Sequence, residues 1–275
     1  VLWVGTESGL NKFYTKTGRS YRYKKVPGKD GSLGTDYINV VHENNSGVLW
    51  TGAFVGKIYR TNVMGRRFTP YRLPPSDQML NDQLVTSIFE TPSYPDTLWL
   101  GTVNGLQRFQ RESCVFTPFR LESGTRPRVP GMPEKRDTEK KQARGKGKKT
   151  AGKKGSGISG NMVISVAECL DDPGKLWVAT VDGGLNKFDP RAGTWINYRH
   201  DSKNRRTISE DTVFCIYQSG EKPGELWVGT QSGILNRFLI KDKHFIKYIL
   251  NPMNTRLPAA IMAMRKLKDQ PEFLW

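Results

Sequence analysis

Acidic and amide side chains recur in this chain at positions where they could work together. Asp36, Asp82, Asn161 and Asp211 each stand just before a short apolar run, and Glu43, Glu90 and Glu168 close three such runs at the far end. Brought around one opening, the first group would form a ring of acceptors for sugar hydroxyls or a cation. Two carboxyls about 5–10 Å apart would also serve glycoside hydrolysis. A local role competes with both, because Asp or Asn before a strand bonds its own backbone amides and shapes the turn. An acid in every copy of a repeat is what a scaffold needs, whereas catalytic acids break a repeat. The three histidines, His42, His200 and His244, fall in separate copies, and no His-Glu-x-x-His, Cys-x-x-Cys, calcium loop or Gly-x-Ser-x-Gly elbow occurs. Cys114, Cys169 and Cys215 are odd in number and give no disulfide framework. The residues thus point to binding without a metal, cofactor or catalytic set.

The elements that would position these residues are copies of one unit. Leu-Trp recurs at Leu2-Trp3, Leu49-Trp50, Leu98-Trp99, Leu176-Trp177, Leu226-Trp227 and Leu274-Trp275, at intervals of 47, 49, 78, 50 and 48 residues. Such a period means stacked copies of one small sheet, and the long interval marks an insertion. Each copy holds four strand-length apolar runs, A to D. Asn-Gly, Asp-Gly and Ser-Gly between runs B and C suit tight hairpins. Four antiparallel strands at this period make a propeller blade. The expected fold is all-β, a β-propeller of four-stranded antiparallel blades with run A innermost. Run A is expected at Ile38–Glu43, Val85–Glu90, Val163–Glu168 and Val213–Gln218. Trp3, Trp50, Trp99, Trp177 and Trp227 of run B are expected as blade core, filling the space between neighbours. The B–C turns and D–A loops share a face. Asp36, Asp82, Asn161 and Asp211, with Asn104 and Asp182 from the turns, are therefore the candidate ligand contacts at the channel mouth.

Residues 1–275 read as one propeller domain. It opens on a run B, Val1–Thr6, and closes on a run A, Ile261–Leu267, with the start of a run B. That makes four whole blades plus a split terminal blade. The last run A could close a five-bladed ring on the first run B. Open ends would leave unpaired strand edges, so a fragment of a larger ring, for example seven-bladed, is the expectation.

Net charge is +17, and 126–155 holds 12 Lys/Arg against 3 Asp/Glu. Residues 126–157 are expected to be a basic, disordered insertion between blades. It could be a solvated loop or could contact a polyanion. Gly147-x4-Gly152-Lys153 resembles part of a phosphate loop, but Lys154 stands where Ser or Thr must hold magnesium. The insertion has no aromatic to stack bases, so specific nucleic-acid binding is not expected. No apolar stretch approaches the roughly 18 residues of a membrane span.

Leu2–Phe13, Leu98–Phe109, Leu176–Phe188 (one residue longer, with Ala179 for Gly) and Leu226–Phe238 resemble the two-component regulator propeller repeat. Gly31–Asp36 and Thr207–Asp211 are similar to that family's segment before run A, and Asp189–Gly193 to its Asp-x-x-Thr-Gly turn. The second copy departs, with Ala53 for Thr and Lys57 in the Leu place. The resemblance implies the sensor part of a hybrid histidine kinase, on the periplasmic or otherwise extracytoplasmic side of an inner-membrane protein. It implies a small-molecule or oligosaccharide ligand, possible in glycan-derived form, and a homodimer in the full-length protein. The segment itself would not be an enzyme; the histidine kinase module would lie elsewhere in the polypeptide. The alternatives are a polysaccharide-active propeller hydrolase or lyase, and a non-catalytic scaffold using its basic loop.

Overall fold

Short apolar runs punctuated by glycine turns can satisfy their backbone groups only by pairing with one another, and here they do so locally. The computed structural model describes residues 1–54, 56–62, 67–74, 84–121, 153–155, 157–250 and 260–264. All regular elements among them are strands, arranged as five antiparallel sheets in chain order. Blade 1 has three strands, Leu2–Thr6, Gly9–Phe13 and Ser20–Tyr23, in positions B, C and D. Blade 2 is Ile38–Glu43, Val48–Ala53, Lys57–Asn62 and Thr69–Arg72. Blade 3 is Val85–Glu90, Thr97–Thr102, Gly105–Gln110 and Val115–Phe119. Blade 4 is Val163–Glu168, Leu176–Thr180, Gly184–Asp189 and Thr194–Tyr198. Blade 5 is Val213–Gln218, Glu225–Thr230, Ile234–Leu239 and His244–Ile249. The four A strands have the limits expected from the sequence and lie side by side. This is a β-propeller.

One coupling joins each blade to the next. Each A strand carries a bulge after its first residue, between Ile38 and Val40, Val85 and Ser87, Val163 and Ser165, and Val213 and Cys215. The bulge turns that residue toward the preceding blade, onto a B-strand glycine. A Cβ on Gly5 would meet the Ile38 carbonyl oxygen at 2.8 Å, one on Gly52 the Val85 side chain at 2.8 Å, and one on Gly101 the Val163 side chain at 3.0 Å. Gly52, Gly101 and Gly229 are approached as closely by their own A strands, at Val40, Ser87 and Cys215, so the motif glycine is the seat on which its own A strand and the next blade both press. Gly229 seats Ile261 in the same way, with a Cβ at 2.7 Å, and the Ile261 N–H donates to the Thr230 carbonyl at 3.1 Å. Of the expected terminal run A, Ile261–Leu267, residues Ile261–Met264 are described and form no strand pairing, while 265–275, with Trp275, lies outside the described residues. Among the described residues the first B strand pairs only with its own C strand.

The tryptophans form the interblade layer, but unequally. Trp50, Trp99 and Trp177 are fully buried. Each meets a Phe from the following blade edge to face: Phe109 at 6.0 Å, Phe188 at 5.9 Å and Phe238 at 5.8 Å. Each also faces an aromatic of its own D strand, Tyr71, Phe119 or Tyr198. Trp3 and Trp227 keep the D-strand partner, Tyr23 or Tyr248, yet are only half-buried. Of the five rings expected as blade core, these two are therefore the less enclosed. In blade 2 the residue paired with Leu49 is Thr61, where blade 3 pairs Leu98 with Phe109, so no Phe reaches Trp3. Among the described residues no ring from a following blade reaches Trp227. A basic residue is paired across from each of these five B-strand tryptophans (Lys12, Arg60, Arg108, Lys187 and Arg237). Lys12, Lys187 and Arg237 lie over the indole at 5.2, 5.2 and 5.9 Å, a cation–π arrangement.

Two further differences concern register and the insertion. In blade 2, Gly52 pairs with Ile58, as Gly101 pairs with Leu106. Ile58 therefore takes the motif leucine's place, and Lys57 is the extra hairpin residue before it. Of 126–157, residues 126–152 and Ser156 lie outside the described residues. Lys153–Gly155 pairs antiparallel with the blade 4 D strand as a fifth, outermost strand.

Candidate ligand-binding face

The B–C hairpins and D–A loops meet on one face. The Gly105 N–H donates to the Asn161 carbonyl at 2.5 Å, and the Gly184 N–H to the Asp211 carbonyl at 2.8 Å. The motif threonine shapes the hairpins of blades 1, 3, 4 and 5. Hydroxyls of Thr6, Thr102, Thr180 and Thr230 donate to the carbonyls of Gly9, Gly105, Gly184 and Ile234 at 2.8, 2.8, 3.0 and 2.8 Å. Three of them also accept the N–H of Ser8, Asn104 or Gly183. The D–A loop is pegged by one buried aliphatic residue, Leu33, Ile158 or Ile208. The next residue then bonds the C strand: Gly34 N–H to Tyr59 Oη at 3.0 Å, Ser159 N–H to Asn186 Oδ1 at 3.0 Å, and Ser209 N–H to Asn236 Oδ1 at 2.9 Å.

The predicted contacts fall within this framework. Asp36 Oδ1 accepts the Lys25 N–H at 2.6 Å, Asn161 Oδ1 the Leu121 N–H at 2.7 Å, and Asp211 Oδ1 the His200 N–H at 2.6 Å. Each residue ties the end of its loop to the beginning, rather than bonding its own amides as the local sequence reading has it. Asp82 lies outside the described residues. Asp211 also receives Arg199, Nε at 2.9 Å and Nη2 at 2.7 Å on Oδ2, while Arg199 Nη2 donates to the Asp182 carbonyl at 3.0 Å. Asp182 is exposed at a hairpin tip, with its carboxyl oxygen set against Gly160. Partial burial of the carboxyl group, with Asp211 adding to it, raises Asp182 above its ordinary value against its own backbone N–H and the pull of Arg199. Asn104 is half-buried at the corresponding tip of blade 3. Asp182 and Asp211 are therefore brought together around Arg199, whereas Asp36 stands at the junction of blades 1 and 2.

Sequence reasoning passed over the basic residue that follows the last D-strand aromatic in four blades: Lys24, Arg72, Arg120 and Arg199. The column was readable once the copies were aligned. Arg199 pairs with Asp211. At the junction of blades 3 and 4 the acid is replaced by Asn161, and the buried Nε of Arg120 has no hydrogen-bond partner among the described residues.

The opposite face is self-satisfied. Glu168 accepts the Thr91 and Ser93 hydroxyls of blade 3 and the Gly174 N–H at 2.9 Å. Burial works to raise its carboxyl, but these three bonds outweigh it and hold Glu168 below its ordinary value. Gln218, in the same place in blade 5, accepts the Leu170 N–H at 3.0 Å. Glu90 accepts from Asn44 and Arg111, and Glu43 is exposed. His42 is half-buried, and burial lowers its pKa against the opposing pull of Glu90. His200 Nδ1 sits 2.9 Å from the Ile208 carbonyl, and His244 opens a D strand. Among the described residues no cluster of three His, Cys, Asp or Glu could hold a metal. Cys169 and Cys215 are buried thiols whose pKa is pushed up by that burial, to about 11 for Cys215, and Cys114 is exposed in a turn.

No protein-family model and no curated protein sequence matches the chain. Solved structures do. The extracellular domain of the "putative hybrid two component system BT3049" from B. thetaiotaomicron aligns with 97% of this chain and 30% of its own, at 22% identity and TM-score 0.66. The corresponding domain of BT4673 from the same organism aligns with 97% of this chain and 31% of its own, at 18% identity and TM-score 0.64. The β-propeller domain of Myceliophteria thermophila Cps50 (Swd1) aligns with 84% of this chain and 59% of its own, at 11% identity and TM-score 0.54. This chain spans about a third of the length of the first two. At these identities the likeness establishes the fold: a run of β-propeller blades, built like those of two extracellular domains of two-component systems.

Proposed function

We propose that this chain is the ligand-sensing propeller segment of a two-component signal-transduction protein, working on the extracytoplasmic side of a membrane. The alignment of nearly the whole chain with the extracellular domains of such systems carries this reading. The loop face would receive a small molecule or oligosaccharide, with Asn104, Arg120 and Asp182 as its polar contacts. This agrees with where the repeat leaves groups open: the buried Nε of Arg120 has no hydrogen-bond partner among the described residues, and Asp182 stands exposed at a hairpin tip. The Asp36, Asn161 and Asp211 side chains instead hold loops. A sensor of this kind leaves its ligand chemically unchanged.

Thermal shift of the intact chain against an oligosaccharide panel tests this reading. A sensor shows a saturable rise in melting temperature with at least one ligand. Asn104→Ala and Asp182→Ala abolish the rise without altering the ligand-free transition. Chromatography of the same mixtures separates the hydrolase or lyase alternative, because cleavage products would overturn the sensor reading. The polyanion contact of 126–155 is tested by deleting those residues and following binding against salt.

A further inference from the structure

The departures of blade 2 from the repeat converge on one place outside the loop-face contacts. Between the loop from Lys25 to Gly34 and the start of the blade 2 D strand lies an open cleft of about 630 Å³, within the size range of small-ligand sites. Leu33 and Phe68, 1% and 3% exposed, form its apolar floor. Lys25, Lys29, Lys57 and Arg67 line it, and none of the four makes an ion pair among the described residues. Among the described residues Asp30 is the one acid on the rim.

The equivalent loop of blade 5 shows what has changed. Both loops are pinned alike: the Phe68 N–H donates to the Gly31 carbonyl at 2.8 Å, and the Phe245 N–H to the Arg206 carbonyl at 2.9 Å. Ser32 bonds Val26 as Thr207 bonds Asp201. Blade 5 has Arg206, Ser209, Ile234 and His244 where blade 2 has Gly31, Gly34, Lys57 and Arg67. A Cβ on Gly31 would stand 2.8 Å from Arg67 Cγ, so glycine is what lets Arg67 lie along the loop. A Cβ on Gly34 would stand 2.6 Å from Tyr59 Oη and 3.4 Å from Lys57 Nζ, so glycine there leaves room for Tyr59 and for the reach of Lys57. The loop has lost side chains where the cations gather, and its backbone is held in place before any ligand arrives.

We infer that this cleft binds the oxyanion groups of a small ligand, a sulfate or phosphate ester, through Lys57 and Arg67 with Lys25 and Lys29 at the rim. Arg forks onto two oxyanion oxygens and Lys supplies a point charge. The apolar floor takes the uncharged body of the ligand. The assignment stands apart from the sensor reading, because binding alone tests it.

Calorimetric titration of the intact chain with a trisulfated disaccharide, its unsulfated counterpart, inorganic sulfate and inorganic phosphate provides the test. The sulfated sugar is expected to bind saturably and the unsulfated one not at all. Affinity falls roughly tenfold or more in Lys57→Gln/Arg67→Gln. It falls less than about twofold in Lys203→Gln/Arg205→Gln, which removes the same charge from the blade 5 loop. Lys57→Arg retains binding, and an unchanged melting temperature shows that the variants fold. Competition by inorganic sulfate or by inorganic phosphate tells which ester the cleft takes. The inference is overturned if none of the four probes binds saturably. It is equally overturned if both double variants lose affinity alike, or if the unsulfated sugar binds as well as the sulfated one.

Discussion

Blade 4 keeps most positions of the repeat, with Ala179 in the glycine place, and blade 2 keeps few, yet both fold into the same four strands. Blade 4 has Thr180 clamping its hairpin, Asn186 gripping Ser159, and Phe188 packed on Trp99. Blade 2 has Ala53, Tyr59 and Thr61 in those places. What both share is the buried tryptophan, the bulged A strand, and a glycine or alanine seat for the next blade. The shared set specifies the blade. The variable set tunes one junction, and in blade 2 the variation is paired: Tyr59 fits because position 34 is glycine.

The largest effect expected concerns the rings. Trp177→Ala removes a fully buried side chain and is expected to destabilise by about 3–5 kcal/mol. Trp3→Ala is expected to cost about half as much or less, because its ring is half-exposed and meets no Phe from blade 2. Urea unfolding of both variants would break the comparison if the two losses were equal.

Next in size is the exchanged pair. Gly34→Ser drives a side chain against Tyr59 Oη and is expected to cost about 1–3 kcal/mol. Adding Tyr59→Asn rebuilds the Ser–Asn contact of blade 4 and should restore most of the loss. A double-mutant cycle with no coupling between positions 34 and 59 would refute the pairing.

The clamp comes third. Thr180→Ala leaves the Gly183 N–H without its acceptor in a buried hairpin, for about 1–3 kcal/mol. Ala53→Thr in blade 2 should change stability little, since Ala53 is fully buried and crowding by the larger side chain offsets what a clamp would gain. Chemical denaturation of the two reciprocal variants checks the contrast.

The smallest effect separates Glu168 from Gln218. The Glu168 carboxyl is held below its ordinary value in the folded chain. Its contribution is therefore complete above the ordinary glutamate pKa and is lost as pH falls through the lowered folded value. Glu168→Gln should flatten that acidic part of the stability profile, whereas Gln218→Ala should lower stability equally at every pH. Stability measured from neutral to acidic pH, with an unchanged slope in Glu168→Gln, would remove the assignment.

The strands were legible because both faces of each A and B strand are apolar and glycine marks each hairpin; all four A strands have the expected ends. Register inside blade 2 was not. One extra hairpin residue moves Lys57 out of the leucine column, and only pairing shows it. The partners of Asp36 and Asp211 were hidden for another reason. The amides they bind lie 11 residues away, at the far end of a loop without periodicity. The half-exposure of Trp3 depends on Thr61 in another blade, which no local window around Trp3 contains.

The glycine seat has a bearing on how the chain is made. Since each bulged strand docks on the blade already preceding it, a growing polypeptide can add one blade at a time as it emerges from the ribosome. Long-range closure is then deferred, and every intermediate length presents a landing place ready for the next strand, as Gly229 does for Ile261.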